Sequence, residues 1–489
     1  MTQTAQTSLP SADVPLFVDL DGTLIRTDVA EEMLVRGMRS AKAMRQALAA
    51  YRADGLGGLK RALSREVGFR ADLLPYDPHV MDYIRTARAA GRQVILATAA
   101  DRDVAEEVAA YTGLFDAILA SDPGSNLKGE AKLAAIRAMA GNGPFEYLGD
   151  STADLPIWQA APWRGFARIP QAAQALATPD HTTLRPGTRP AMLPALRRAM
   201  RPHQWAKNVL VLAPLLFTHL YGDPVSILRA LLAFAVFSIC ASSVYLLNDV
   251  LDIEADRAHP TKKTRPFAAG DLLPRHGVIG SVGLLAIALG LAFGVLGPAF
   301  GVTMLAYFGL TTAYSFVLKT YSTVDVVALA LLYTLRIIAG AVALHTFPSP
   351  WLLTFSMFFF LSLAYLKRYI ELSKATGTQR LAARNYWASD LTVVQTFGIA
   401  NGALSLLTLA EYVTSAEVIA RYETPGILWL MIPVMMFWTY RAWMWANRGM
   451  IGDDPVVFAS KDRISRITGL VVLCIFIAAR YLSIPWMTP

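Results

Sequence analysis

Apolar residues are distributed in two different ways along this chain. Before about residue 185 the apolar runs are short, and each ends in polar or acidic residues. The runs at 14–20, 93–97 and 145–148 have the length and composition of parallel strands buried on both faces. Residues 26–90, rich in Ala, Arg, Met and Leu, predict helices inserted between the first and second strands. From 170 to 194 Pro and Thr recur without a period, which predicts a linker. Beyond about 205, one long apolar run follows another. Nine segments are long enough to span a bilayer, near 207–221, 226–247, 277–297, 299–317, 324–344, 351–369, 391–412, 426–446 and 466–487. The first is short and must tilt or borrow flanking residues. The pattern predicts an α/β domain over 1–185, linker included, and an all-α multi-pass membrane domain over 190–489.

Composition agrees with that division. Of 489 residues, 54% are hydrophobic and 17% charged, too apolar for an ordinary soluble protein. The net charge of +8 does not call for nucleic acid, because cytoplasmic loops of membrane proteins are basic by rule. The loops near 248–276, 318–323, 367–390 and 446–465 hold Arg257, Lys262, Lys263, Arg265, Arg275, Lys319, Lys367, Arg368, Lys374, Arg380, Arg384, Arg448, Lys461 and Arg463, whereas the alternate loops hold only Arg421. That bias places the basic loops and the α/β domain on the cytoplasmic side of the inner membrane. Cys240 and Cys474 fall in apolar segments, so neither a disulfide framework nor a zinc site is indicated. The first residues, MTQTAQTSLPSADVP, lack the basic and apolar regions of a signal peptide.

The ends of the three predicted strands carry chemistry. The first runs into Asp19-Leu20-Asp21-Gly22-Thr23, the second into Thr98, and the third into Asp150-Ser151-Thr152-Ala153-Asp154, with Lys128-Gly129-Glu130 between the last two. Strand ends converge at one edge of a doubly wound sheet, where ligands bind. A carboxylate nucleophile, hard oxygen donors for Mg²⁺ and phosphate-holding Thr and Lys make a phosphoryl-transfer site. In this order the four elements resemble the haloacid dehalogenase (HAD) phosphohydrolase superfamily over residues 14–175. The resemblance implies Asp19 as nucleophile and metal ligand, Asp21 as general acid/base, Thr98 and Lys128 on the phosphoryl group, and Asp150 and Asp154 at Mg²⁺. Lys132 competes with Lys128 for the lysine role. The helical insert at 26–90 would be the family's small cap over a Rossmannoid sheet.

In the membrane half the informative stretch follows the second apolar run: Asn248-Asp249-Val250-Leu251-Asp252-Ile253-Glu254-Ala255-Asp256, with Lys262, Lys263 and Arg265 just beyond. Asp252 and Asp256 are four apart, so on one continuous helix they share a face. Stacked carboxylates repel unless a cation lies between them, and Mg²⁺ suits hard oxygens and leaves positions for phosphate. This stretch resembles the first aspartate-rich motif of the UbiA superfamily of intramembrane prenyltransferases, and NDVLDIEADRAHPTKKTRPFAAG is most like its decaprenyl-phosphate phosphoribosyltransferase branch. The resemblance extends from about Arg201 to the C-terminus and implies a UbiA-type bundle of about nine helices. By it Asn248, Asp249, Asp252 and Asp256 hold Mg²⁺–pyrophosphate, Asp249 and Asp252 being essential to transfer. Lys207, Lys262, Arg265 and Lys319 would contact phosphates, and Tyr314 lies within reach of one. Arg336 falls inside a predicted span, where it either faces a polar cavity or pairs with a buried acid. Asp325, heading that span, is a helix cap or a cavity-facing acid. No second DxxxD motif occurs between 310 and 390, although Lys367-Arg368-Tyr369-Ile370-Glu371 lies where one belongs.

Members joining a prenyl diphosphate to an aromatic acceptor carry that second motif. One acidic cluster suits one diphosphate, which in the phosphoribosyltransferase branch belongs to phosphoribosyl pyrophosphate (PRPP), with a polyprenyl phosphate as acceptor. The expectation is a bifunctional enzyme of cell-envelope biosynthesis: 5-phosphoribose passes to the lipid phosphate, and the HAD domain removes the 5-phosphate. The rivals are a prenyltransferase acting on an aromatic or other acceptor beside an unrelated phosphatase, and a non-catalytic transport or lipid-binding protein. Expected partners are PRPP, polyprenyl phosphate and membrane lipids, with no nucleic acid. Assembly into a homo-oligomer is left open.

Overall fold

The computed structural model describes residues 10–122, 126–374, 384–452 and 454–484. Residues 1–9, Arg380 and the end of the last predicted span at 485–487 lie outside the described residues. Compactness divides the chain into two units, 1–200 with 245–281, and 201–244 with 282–489.

The first unit is built on a six-stranded all-parallel sheet in the order β3-β2-β1-β4-β5-β6. The strands are β1 (Leu16–Val18), β2 (Val94–Asp101), β3 (Ala117–Ser121), β4 (Glu146–Gly149), β5 (Trp163–Phe166) and β6 (Thr182–Leu184). Leu16, Phe17 and Val18 are wholly buried. Leu16 and Val18 pack into one core cluster and Phe17 into another, as expected of a central strand covered on both faces. The insert between β1 and β2 forms α1 (Val29–Gly37), α2 (Ala41–Val67) and α3 (Pro78–Ala89), with α2 kinked at Asp54 and Gly55. The stretch at 170–194 departs from the expected linker. It contributes a 3₁₀ turn at Gln171–Leu176 and the sixth strand, because Thr182 and Leu184 pair with Arg164 and Gly165 of β5. A three-residue edge strand is too short to show a period in sequence.

Among the described residues, seven helices are long and apolar enough to cross a membrane: Pro224–Leu251, Pro274–Gly294, Val324–Ala343, Pro350–Ser373, Ala388–Thr414, Pro425–Asn447 and Arg463–Tyr481. Two of the nine expected spans are absent from this set. Residues 207–221 break into 3₁₀ turns at Pro202–Leu212 and Leu220–Gly222 flanking the short helix Ala213–Phe217. Pro214 and the positive φ of His219 (58°) interrupt that stretch. The helix Pro298–Phe316 does form, but Thr311, Thr312, Tyr314 and Ser315 lower its hydropathy. In the second unit, one core cluster joins Val211, Phe237, Phe300 and Ala339, and another joins Phe360, Leu366, Tyr369 and Trp443.

Candidate active sites

The hydrolase site forms where β1 and β4 end. Asp19 follows β1 and Asp150 follows β4, while Asp154 closes a 3₁₀ turn at Thr152–Asp154. One oxygen from each of these three carboxylates lies within 4.8 Å of the others, the one such group among the described residues. Gly22 makes that gathering possible. Its φ is +73°, and a Cβ there would stand 2.1 Å from an Asp150 oxygen. Asp154 accepts hydrogen bonds at Oδ2 from the Asp150 and Ser151 N–H groups (3.2 and 3.0 Å), and at Oδ1 from the Tyr147 hydroxyl (2.6 Å). The donor set is all hard oxygen, crowded and under-neutralised, which fits Mg²⁺.

The lysine beside Asp19 is Lys132. Its Nζ donates to Asp19 Oδ1 (2.8 Å) and Tyr147 Oη (3.1 Å), lies 3.7 Å from Asp154 Oδ1, and is buried. Lys128, preferred from the sequence, is exposed and lines the same cavity. The difference arises from α4 (Glu130–Met139). Lys132 lies on the buried face of its first turns with Leu133 and Ile136, whereas Lys128 precedes the helix. Thr98 is wholly buried in β2, where its Oγ1 accepts from the Ala100 N–H (3.0 Å), and its neighbour Ala99 is the residue lining the cavity. Asp21 accepts from the Val29 N–H at 2.8 Å, at the start of the cap.

Electrostatics follow from this packing. Burial, opposed by Lys132 and reinforced by the Asp154 charge, pushes Asp19 up to about 6. Burial and the charges of Asp19 and Asp154 push Asp150 up to about 7. Burial and then the Asp28 carboxylate raise Asp21 well above the usual range, against the hydrogen bond from Val29. Asp21 therefore retains a proton more readily than a free carboxylate, as a general acid requires. The cavity measures about 320 Å³. It is also lined by Arg26, Lys60, Arg168, Arg189 and Arg275, none of which sequence reasoning selected for this site.

The acidic motif belongs to the same unit and is organised differently. The long helix stops at Leu251, Asp252 adopts φ −96° and ψ 13°, and a short helix resumes over Ile253–Ala258. That break overturns the expectation of Asp252 and Asp256 on one helix face. Asp249 and Asp256 are buried and share Arg265, whose Nη1 lies 3.3 and 2.7 Å from them. Asp252 instead pairs with Arg39. Around it Arg36 meets Glu254 (2.9 Å), Arg257 grips Glu32 through both terminal nitrogens (2.8 and 2.6 Å), and Arg275 Nη1 meets Glu31 (2.8 Å). Asn248 is half-buried in the last turn of the long helix, and Lys262 is exposed in a 3₁₀ turn. These hard-oxygen side chains suit Mg²⁺ in kind, but here their carboxylates are separated and held by arginines.

The second unit holds the remaining expected residues in three places. Arg336 is buried with Nε on Asn208 (3.0 Å) and Nη2 on Tyr307 (3.2 Å), its guanidinium 5.2–5.4 Å from the ring centres of Phe237, Tyr307 and Tyr333. Its cation is held by aromatic faces and an amide, not by the buried acid that was one expectation. Asp325 lies wholly buried, 2.7 Å from Arg368 and 3.4 Å from Arg384, and accepts from the Tyr386 hydroxyl at 2.7 Å. Tyr314 accepts from Arg368 (3.3 Å), and Lys319 is half-buried in the 3₁₀ turn Leu318–Thr320. Lys207 meets Asp454 at 2.5 Å, with Lys367 3.7 Å from the same carboxylate. Despite its burial, those two lysines hold Asp454 down at about 2. Beside them a cavity of about 350 Å³ is lined by Lys207 and apolar groups including Leu210, Phe359, Leu363 and Trp438.

A run of apolar membrane-length helices, an aspartate-rich motif at the end of one of them and a parallel α/β hydrolase sheet define a membrane-bound transferase fused to a hydrolase. The chain belongs to the UbiA prenyltransferase family, whose sequence profile matches residues 210–461, and the profile of haloacid dehalogenase-like hydrolases matches 16–159. Over 303 residues it is 33% identical to the decaprenyl-phosphate phosphoribosyltransferase of Mycolicibacterium smegmatis, covering 60% of this chain and 94% of that one. A match spanning both halves, 34% identical over 475 residues, covers 95% of this chain and 91% of an uncharacterized protein of Sinorhizobium fredii. Among solved structures, a UbiA homolog from Archaeoglobus fulgidus bound to GPP and Mg²⁺ is similar at 16% identity and a TM-score of 0.45, covering 59% of this chain and 100% of that one. The protein is a multi-pass membrane enzyme of the UbiA type with a HAD hydrolase domain.

Proposed function

We propose that the membrane domain, over about 190–489, transfers 5-phosphoribose from PRPP to a polyprenyl phosphate, releasing pyrophosphate, and that the HAD domain, over 1–185, then removes the 5-phosphate. The observation carrying this reading is the identity to a decaprenyl-phosphate phosphoribosyltransferase over 94% of that enzyme, in a chain that also holds the Asp19–Lys132–Asp150–Asp154 cluster. In the first step a lipid phosphate oxygen attacks the anomeric carbon as its bond to pyrophosphate breaks. Asn248, Asp249, Asp252 and Asp256 would hold Mg²⁺, which would neutralise the departing pyrophosphate. Lys262 and Arg265 complement that charge from the protein side. Lys207, heading an apolar cavity, suits a lipid phosphate with a prenyl tail. Tyr314, Lys319 and Arg336 are assigned to supporting the phosphates and the helices that carry them.

In the second step Asp19 attacks phosphorus and the ribose oxygen leaves with the proton of Asp21. Water, deprotonated by the same Asp21, then hydrolyses the aspartyl phosphate. Lys132 and Lys128 hold the transferring oxygens, and Thr98, buried behind the cavity-lining Ala99, supports that strand end. Asp19, Asp150 and Asp154 would hold the Mg²⁺ that offsets the phosphate charge. Both sites work on the cytoplasmic side of the inner membrane, in keeping with the basic loops.

The test is to incubate detergent-solubilised protein with Mg²⁺, PRPP and a polyprenyl phosphate and to weigh the lipid by mass spectrometry. The expected products are a ribosylated lipid from the wild type and its 5-phosphorylated precursor from Asp19→Asn. A lipid without ribose under every condition would replace this reading with prenyl transfer to another acceptor.

A further inference from the structure

The hydrolase cavity holds more positive charge than one phosphate monoester uses. Lys132 is engaged by Asp19, and Arg26 by Asp77 at 3.0 Å. Lys60, Lys128 and Arg168 line the same cavity and form no ion pair within 4.0 Å among the described residues, although the charges of Lys60 and Arg168 act on Asp21 and Asp150. Arg189 also lines it. Its Nη2 reaches Asp77 (2.9 Å) and the Gly22 carbonyl (3.2 Å), but its Nε and Nη1 are buried with no hydrogen-bond partner. Guanidinium N–H groups withdrawn from water without an acceptor are costly and therefore uncommon. An anion in the cavity would satisfy them. The remaining cation, Arg275, comes from beyond the aspartate-rich motif, at the head of the helix Pro274–Gly294. Its Nη1 and backbone N–H both grip Glu31 of the cap helix (2.8 and 3.1 Å), which holds it at the cavity.

We infer that Arg168, Arg189 and Arg275 form a second anion subsite, and that the hydrolase substrate is a phosphate monoester carrying another phosphate group on the same small scaffold. The inference deepens the phosphatase reading above and rests on it. At about 320 Å³ the cavity is of small-ligand size. The monoester phosphorus faces Asp19 and Lys132, and the second phosphate meets the arginines, which bind phosphate oxygens through paired N–H groups. Two sources share this chemistry: a lipid phosphodiester of ribose 5-phosphate, and a free sugar with phosphates at both ends. Arg275 gives the part of the chain that bears the transferase motif a direct hand in choosing what the hydrolase accepts.

The experiment measures Mg²⁺-dependent phosphate release by the full-length protein in detergent. Its three substrates are ribose 5-phosphate, ribose 1,5-bisphosphate and a synthetic short-chain prenylphosphoryl ribose 5-phosphate. One or both doubly phosphorylated substrates should exceed ribose 5-phosphate in kcat/KM by about tenfold or more, mainly through KM, and the better of the two identifies the source. Arg275→Ala and Arg189→Ala should each raise KM for that substrate about tenfold and so collapse the preference, with Arg275→Lys recovering part of it. A purely structural role would lower kcat on all three substrates together and leave the preference intact, which would overturn the subsite. Equal kcat/KM on all three in the wild type would also overturn it. Failure to hydrolyse any of them would instead sink the phosphatase reading, and this inference with it.

Discussion

The hydrolase cluster and the transferase motif each bring together acidic side chains, and they differ in how the protein neutralises them. At Asp19, Asp150 and Asp154 three carboxylate oxygens crowd within 4.8 Å and the protein supplies one buried lysine. At Asp249, Asp252 and Asp256 every carboxylate already has an arginine. In the first cluster burial, reinforced by repulsion between the carboxylates, raises Asp19 and Asp150. The second is balanced until something displaces its arginines. Under the proposed reading, Mg²⁺ would offset repulsion at the first site and would compete with arginines at the second.

The sharpest way to separate the sites is to remove the nucleophile. Asp19→Asn should reduce 5-phosphate release by about 10⁴-fold or more while ribosyl transfer continues, so mass spectrometry finds the phosphorylated lipid accumulating. Asp252→Ala should cut transfer by roughly 10³-fold, with hydrolysis of a supplied phosphomonoester retained. Equal loss of both activities would show that the two clusters act as one. Lys132→Met tests the under-neutralised cluster alone: phosphatase kcat should fall on the order of 10²-fold, and the Mg²⁺ concentration needed for half-maximal rate should shift.

A pH series sharpens the contrast further. Asp19 and Asp150 rise from the ordinary carboxylate value of 3.8 to about 6 and about 7. The folded protein therefore keeps protons that the unfolded chain has lost. Without divalent cations, their contribution to stability is full below about pH 4 and is lost as pH rises through 6 to 7. Melting in EDTA should accordingly fall by a few °C between pH 5 and pH 8 from these groups, and saturating Mg²⁺ should shrink that difference. The smallest effect belongs to Arg39→Ala. Its pair with Asp252 is about a third to a half exposed, so stability should change by less than about 1 kcal/mol. A larger change in transferase rate than in melting temperature would show that Arg39 tunes the motif.

Much of both sites was legible in the sequence because the signals are local. Asp19, Asp21, Asp150 and Asp154 sit directly after strands whose apolar runs mark them, and Asn248 to Asp256 follow an apolar helix. Arg189 and Arg275 gave no such sign. Arg189 lies in a Pro- and Thr-containing stretch without a period, and Arg275 in a basic loop of the kind that positive-inside bias alone predicts. The two lysines show the limit of local context: the buried face of α4 delivers Lys132 to Asp19, while Lys128 lines the cavity from just before that helix. The stretch at 207–221 was apolar enough to read as a span, yet proline and a left-handed residue break it.

By itself, then, the sequence determined the parallel α/β architecture, the chain of apolar helices and the two acidic motifs. Strand burial, helix hydropathy and strand-end chemistry are written in neighbouring residues. Tertiary structure alone decided which cation meets which carboxylate: Lys132 on Asp19, Arg265 between Asp249 and Asp256, Arg39 on Asp252, Arg275 at the hydrolase cavity. Those pairings join residues from about 9 to more than 200 positions apart, and they depend on side-chain direction and on a helix break at Asp252. Periodicity carries no information about either, because both are settled by packing between distant segments.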